Sequence, residues 1–147
     1  MEITSDEYFC NINRCYNLSI ENKDIVEFWL KAAKKDESVM KVLFANKKYA
    51  DSLFYGHLVL EKTLKAVYVQ KIQSSPPFIH DLLLLTRKSQ LKVDEDVAKK
   101  LKIITGFNIN GRYDDYKSTF YSVSTKKYAL EYLEVIKSIK IWLLKQI

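Results

Sequence analysis

Glycine and proline are scarce in this chain, whose 147 residues include three glycines and two prolines. A protein of many short strands needs more of both residues at its turns, so the composition disfavours a β-sandwich. Lysine, leucine and glutamate, which favour helices, are plentiful. The length fits one domain with one core, and a hydrophobic content of 48% is typical of globular proteins. The composition therefore predicts a helical protein.

Cysteine and histidine are also few. Cys10 and Cys15 lie close together near the N-terminus, and no second Cys or His pair completes a tetrahedral site. We therefore expect no metal centre and no cofactor. No apolar run is long enough to cross a bilayer, and the acidic, polar start MEITSDEYF lacks a signal-peptide pattern. These features predict a cytoplasmic protein with reduced thiols and no membrane segment.

Arginine is rare among the positive charges. Only three of the 24 basic residues are arginines, and the net charge of +6 comes from lysines spread along the chain. Scattered lysines are typical of a solvated surface, although they also permit an anionic partner. Arg112 has an unusual setting, beside Gly111 in NINGRYDDYKSTFY, a stretch with four aromatic rings. Because arginine is suited to bidentate phosphate recognition, Arg112 is a candidate phosphate-binding residue.

Apolar periodicity predicts five helices, three of them long, in an up-and-down bundle. Residues 1–21 show no sustained period, so we expect an N-terminal arm or a short extra helix there and a bundle domain over 22–147. Gly111 lies in a stretch without this period, which predicts a long, functional loop from about 107 to 122. The predicted helices begin near Asn22, Lys48, His80, Asp94 and Ser124.

Three polar residues of the second helix, His57, Glu61 and Lys65, are spaced by four and form one row between two apolar stripes. Two interpretations stay open: an exposed ladder, or a partly buried seam whose members need each other or a ligand. Asp36 falls on the apolar face of the first helix, where a carboxylate needs a counter-ion, and either Lys65 or Arg112 is a candidate. The two apolar stripes predict a central helix or a subunit contact.

Four segments carry a family resemblance. In order, WLKAAKKD (29–36), YADSLFYGHLVLEKTLKAVYV (49–69), PPFIHDLLLL (76–85) and NGRYDD (110–115) resemble the landmarks of the HEPN family. The resemblance covers the chain from about residue 24 to its end. It implies an all-α bundle of four to five helices, commonly a homodimer, with a polar cleft built by the two central helices and the segment after them.

Many HEPN proteins are metal-independent ribonucleases in which four to six residues separate the arginine from a histidine. Here the residues at 117–119 are Lys, Ser and Thr, and no histidine follows His80. The stretch after Arg112 instead resembles the Arg-Tyr-Pro-Asp-like version of members associated with nucleotidyltransferases, with Asp114 in the place of the proline. The resemblance therefore implies binding of a nucleotide or RNA more than cleavage.

The first hypothesis is a nucleotide- or RNA-binding module that partners a minimal nucleotidyltransferase in a toxin–antitoxin-like pair. Arg112 would clamp a phosphate, Tyr113 or Tyr116 would stack on a base, and Lys65 would add positive charge. The polar cleft would be lined by Asp36, His57, Glu61, His80 and Asp114.

Two alternatives remain. The first is a ribonuclease toxin in which His57 or His80 supplies the acid–base group, although a histidine before a helix more often packs or caps. The second is a structural dimerisation bundle whose polar seam fixes the helix register.

Overall fold

The computed structural model describes the backbone of residues 5–112 and 114–147 and the side chains of residues 21–112 and 118–147. Within these ranges the chain forms six helices and no strand. The helices are α1 (Ser5–Ala45), α2 (Tyr49–Ile72), α3 (Leu82–Lys88), α4 (Glu95–Arg112), α5 (Asp114–Val123) and α6 (Lys126–Leu144). The predicted all-α bundle is confirmed, with six helices instead of four or five.

Helix α2 is the centre of the bundle, and it contacts each of the other five helices. One of its two apolar stripes is buried: Leu53, Leu60 and Leu64 have no exposed surface and belong to the main core. The other side of α2 packs against α1, where Val26 joins Ala66 in a smaller cluster. Burial on several sides explains why α2 carries apolar residues beyond a single stripe.

The first helix is longer than the apolar period predicts, because α1 begins at Ser5 and not near Asn22. Helix α1 is thus continuous across the predicted boundary at residue 22, and the division into an arm and a bundle domain stays a prediction. Among the described residues, no helix combines the length and apolar character that crossing a bilayer requires.

The predicted loop from 107 to 122 is wrong, because α4 continues to Arg112 and α5 covers most of the remainder. The aromatic residues of this stretch explain the difference. Phe107 and Phe120 are both buried, with ring centroids 5.5 Å apart, so one side chain from each helix enters the core. The Tyr121 hydroxyl donates to Asp51 of α2 at 2.5 Å and fixes α5 against the central helix.

Gly111 has a packing role inside α4. A Cβ atom at this position would lie 2.7 Å from Cδ2 of Phe54, closer than side chains tolerate. The glycine therefore lets α4 approach α2 closely, and its φ is not positive. The interpretation of Gly111 as a marker of a loop is corrected accordingly.

Three helices begin with a side-chain cap, and the cap of α4 is Asp94, where the sequence places the start of that helix. Asp81 accepts from the backbone N–H of Leu84 at the start of α3, and Asp94 accepts from that of Val97 at the start of α4. Ser124, where the sequence places the start of the last helix, is not its cap. Thr125 caps α6, while the Ser124 hydroxyl donates to the carbonyl of Phe120, so that its side chain closes the preceding helix.

Gly56 and Gly106 offer a matched test of how closely the helices pack. A Cβ at Gly56 would lie 2.5 Å from Cδ1 of buried Ile136, whereas a Cβ at Gly106 would meet no atom closer than 4.0 Å. We expect Gly56→Ala to lower the free energy of unfolding by about 1–3 kcal/mol through overpacking. Gly106→Ala should leave it unchanged or raise it by up to about 1 kcal/mol, because alanine favours a helix. Equal effects in urea denaturation would contradict this packing.

Candidate functional site

A buried carboxylate, Glu61, forms the centre of the polar cluster. Its side chain is 6% exposed, and its two oxygens have different donors. Lys65 Nζ donates to Oε1 at 2.8 Å, and Nδ1 of His80 donates to Oε2 at 3.0 Å. Burial would raise the pKa of Glu61, but the hydrogen bonds from Lys65 and His80 outweigh that effect and hold the pKa below its ordinary value. Glu61 is therefore ionised at neutral pH.

His57 lies beside this carboxylate and is completely buried. Its Nε2 donates to the backbone carbonyl of His80 at 2.9 Å, and its Nδ1 lies 3.8 Å from Oε2 of Glu61. Burial lowers the pKa of His57, and the charge of Arg112 adds to this effect, which outweighs the opposing effects of the hydrogen bond to the His80 carbonyl and of the Glu61 carboxylate. The ring is thus neutral, and its Nδ1 finds no hydrogen-bond partner among the described residues.

The row of polar residues on α2 is a buried seam and not an exposed ladder. The spacing of four places His57, Glu61 and Lys65 along one side of α2, as the sequence predicts. The same side faces the segment before α3, which carries His80. The seam therefore joins α2 to the chain that follows it.

The backbone around His80 is held from three directions. His57 binds its carbonyl, Asp81 caps α3, and the N–H of Leu82 donates to the Thr105 hydroxyl of α4 at 3.1 Å. The His80 side chain is nevertheless 52% exposed. Because its Nδ1 donates to Glu61, its other ring nitrogen is available to a ligand. A half-exposed imidazole oriented by a buried carboxylate is suited to donating a hydrogen bond or transferring a proton.

The charge of Lys65 is already paired within the cluster. Its ammonium group binds Glu61 and lies 4.9 Å from the ring centroid of Trp29 on α1. This cation–π contact and the ion pair together compensate for the burial of the charge. A direct role of Lys65 in phosphate binding stays a prediction.

The counter-ion of Asp36 differs from both candidates that the sequence suggested. Lys62 Nζ lies 2.5 Å from Oδ2 of Asp36, so neither Lys65 nor Arg112 is its partner. Lys62 lies three residues before Lys65 on α2, and its ammonium group reaches Asp36 on α1. Within the described part of the chain, no ion pair or hydrogen bond joins Asp36 to the Glu61 cluster.

Arg112, at the end of α4, is an exposed cation next to this cluster. The central carbon of its guanidinium lies 5.8 Å from the ring centroid of Phe54, and its charge contributes to lowering the pKa of His57. Among the described side chains it has no carboxylate within 4.0 Å. One turn earlier, buried Asn108 has a side-chain oxygen without a hydrogen-bond partner in the same set. Sequence reasoning missed Asn108, although its spacing of four from Arg112 places the two residues on the same side of a helix.

Three predicted site residues lie outside this description. Tyr113 falls outside the described residues, and the side chains of Asp114 and Tyr116 do so as well. The described residues contain no group of three or more His, Cys, Asp or Glu side chains that could hold a metal ion. The described part of the site therefore consists of Arg112 with Phe54, the exposed His80, and the buried residues that support them.

The protein is thus an all-α bundle whose central helix carries a buried polar seam, with an arginine nearby. The sequence matches the HEPN domain family over residues 26–147, and the chain belongs to that family. A similar fold occurs in the crystal structure of TT1696 from Thermus thermophilus, at 19% identity and a TM-score of 0.71. The alignment covers 83% of this chain and 98% of that one. A comparison with curated protein sequences found no match.

The neutral state of His57 predicts a pH dependence of stability. Its folded pKa lies below the ordinary value of 6.5, so the unfolded chain binds more protons as the pH falls through that value. The free energy of unfolding should therefore decrease from about pH 6.5 to about pH 5, before the depressed pKa of Glu61 contributes.

Urea titrations of the wild type and His57→Gln across this range provide the measurement. Glutamine retains a donor for the His80 carbonyl but does not titrate, so the variant should lose less stability than the wild type. Parallel profiles for the two proteins would contradict the assignment.

Proposed function

We propose that this chain is a nucleotide- or RNA-binding HEPN module. The observation that carries the proposal is the exposed Arg112 guanidinium, which lies 5.8 Å from the Phe54 ring centroid and is close enough to buried His57 to lower its pKa. A guanidinium group presents five N–H donors in a planar fork that matches phosphate oxygens. Among the described side chains, no carboxylate lies within 4.0 Å of Arg112 to compete with a phosphate.

The exposed nitrogen of His80 supplies a second contact of different chemistry. It can bind a ribose hydroxyl or a phosphate oxygen while Glu61 holds the ring in place. Tyr113 or Tyr116, which follow Arg112 in the chain, would stack on the base. Lys65 would act mainly by keeping Glu61 ionised, with a smaller direct effect on a bound phosphate.

The finer parts of the proposal concern partners. The sequence after Arg112, with Asp114 at the position of a proline, supports association with a minimal nucleotidyltransferase in a toxin–antitoxin-like pair. The partly buried second stripe of α2 includes Phe54, Leu58 and Ile72, and a homodimer would extend its burial. A cytoplasmic location belongs to the same proposal.

The binding proposal is tested by ligand-induced stabilisation. ATP or a short single-stranded RNA at 100 times its dissociation constant should stabilise the wild type by about 2.7 kcal/mol, measured as an increase in Tm. Arg112→Ala should lose most of this increase, whereas Arg87→Ala, which removes an exposed arginine of α3, should retain it. No increase with either ligand in the wild type, or equal increases in the two variants, would refute the proposal.

A second candidate function is metal-independent RNA cleavage, and the Glu61–His80 pair favours it. The free nitrogen of His80 would take the proton of a ribose 2′-hydroxyl, O2′ would bond to phosphorus, and the bond from phosphorus to O5′ would break. Return of the proton to O5′ completes the transfer and leaves a 2′,3′-cyclic phosphate and a 5′-hydroxyl. Arg112 would stabilise the charge on the pentacoordinate phosphorus.

This candidate predicts cleavage of single-stranded RNA in the presence of EDTA. His80→Ala should slow it by about 100-fold or more, because one acid–base group contributes that much, and Glu61→Gln should slow it less. Arg87→Ala serves as the control and should cleave at the wild-type rate. If the wild type cleaves no RNA, or if His80→Ala cleaves as fast as the wild type, the candidate fails while the binding proposal stands.

A further inference from the structure

A groove of about 560 Å³ lies between α1 and α2, on a different side of α2 from the His57–Glu61–Lys65 row. Its volume is within the range of ligand-binding sites. Aromatic and lysine side chains from both helices line it, and Asp36 is buried. The lining residues used below are Phe28, Lys31, Lys35, Asp36, Tyr55 and Lys62.

The groove is positively charged. Three of its lining residues are lysines and one is an acid, Asp36, which is paired with Lys62. Lys31 is paired with Glu27 in an exposed contact, which costs little to exchange for a phosphate. Lys35 is exposed and has no carboxylate within 4.0 Å among the described side chains. Among the described side chains, Lys35 therefore has no carboxylate to give up when an anionic ligand binds.

Two aromatic rings lie on opposite sides of the groove. Phe28 on α1 is 62% exposed, and Tyr55 on α2 is partly exposed. Trp29 holds Phe28 in an edge contact, with ring centroids 5.3 Å apart, so the phenylalanine ring has a fixed support. Lysines interleaved with exposed rings are the pattern that binds a phosphate backbone and stacks on unpaired bases.

Aromatic contacts connect the groove to the Glu61 cluster through α1 and to Arg112 through α2. On α1, Phe28 contacts Trp29, whose ring lies under the Lys65 ammonium group. On α2, Tyr55 contacts Phe54 at 5.7 Å between ring centroids, and Phe54 lies beside Arg112. Because Phe54 and Tyr55 are adjacent on α2, a polynucleotide bound at Arg112 would have the groove as a second binding surface.

We infer that this groove binds a segment of single-stranded RNA that extends from a nucleotide held at Arg112. The inference rests on the proposed function and adds a second binding surface, which a polynucleotide reaches and a mononucleotide at Arg112 does not. A duplex is disfavoured because its bases are already stacked on each other and cannot stack on Phe28 or Tyr55. An acidic peptide would use the lysines but gain nothing from the rings.

The charge contribution is tested with two lysine variants. Lys35→Glu lies in the groove, and Lys137→Glu makes the same charge change at an exposed position of α6. The probe is a fluorescent single-stranded RNA of about ten nucleotides, titrated by anisotropy at several salt concentrations. Lys35→Glu should weaken binding by at least about fivefold more than Lys137→Glu, and its dependence on log salt should be shallower by about 0.7 per lost phosphate contact.

The stacking contribution is tested with Phe28→Leu, which removes the ring but keeps an apolar side chain. Base stacking on an aromatic residue is worth enough to predict about a fivefold or greater loss of RNA affinity. Phe28→Tyr keeps a ring and should bind RNA as the wild type does. If Phe28→Leu also binds as the wild type does, the groove acts through charge alone and the inference is overturned.

Binding of ATP separates this inference from the proposed function. A mononucleotide reaches only the Arg112 site, so Lys35→Glu and Phe28→Leu should keep the wild-type increase in Tm with ATP, whereas Arg112→Ala should lose it. If Lys35→Glu and Lys137→Glu bind RNA equally well and ATP binding is intact, the groove inference is overturned and the proposed function stands. Absence of both RNA and ATP binding in the wild type overturns both proposals.

Discussion

The buried charge of Glu61 is the constraint on which the functional side of this bundle depends. An ionised carboxylate removed from water costs several kcal/mol unless donors surround it. Lys65 and His80 are those donors, and they belong to different parts of the chain. Satisfying one carboxylate therefore fixes the segment that follows α2, and the Thr105 bond to Leu82 extends this restraint to α4.

The same constraint decides which groups remain available for chemistry. Lys65 is used to neutralise Glu61, and His57 is neutral and bound to a backbone carbonyl. The His80 side chain is half-exposed with one ring nitrogen not bound to Glu61, and Arg112 has no carboxylate within 4.0 Å among the described side chains. Because the buried members hold each other, a ligand can bind the exposed members without leaving an unpaired charge in the core.

The sequence predicts which residues form the candidate site better than it predicts which residues they contact. A spacing of four suffices to place His57, Glu61 and Lys65 on one side of α2, and the family landmarks identify Arg112. The partner of Asp36 was not predictable, because the packing of α1 on α2 decides whether Lys62 or Lys65 is within reach. The length of α4 was missed for a similar reason: a glycine in the sequence suggests a turn, but in the folded chain Gly111 makes a close contact with α2.

Gly111 also explains why the arginine follows it directly. The missing side chain lets the end of α4 approach Phe54, and the next residue then extends its guanidinium beside that ring. An ion pair would orient Arg112 equally well, but it would neutralise the charge that a phosphate needs. Among the described side chains Arg112 has the Phe54 ring and no carboxylate beside it, and the same ring contacts Tyr55 at the edge of the α1–α2 groove. Close helix packing and the proposed anion binding thus depend on the same pair of adjacent residues.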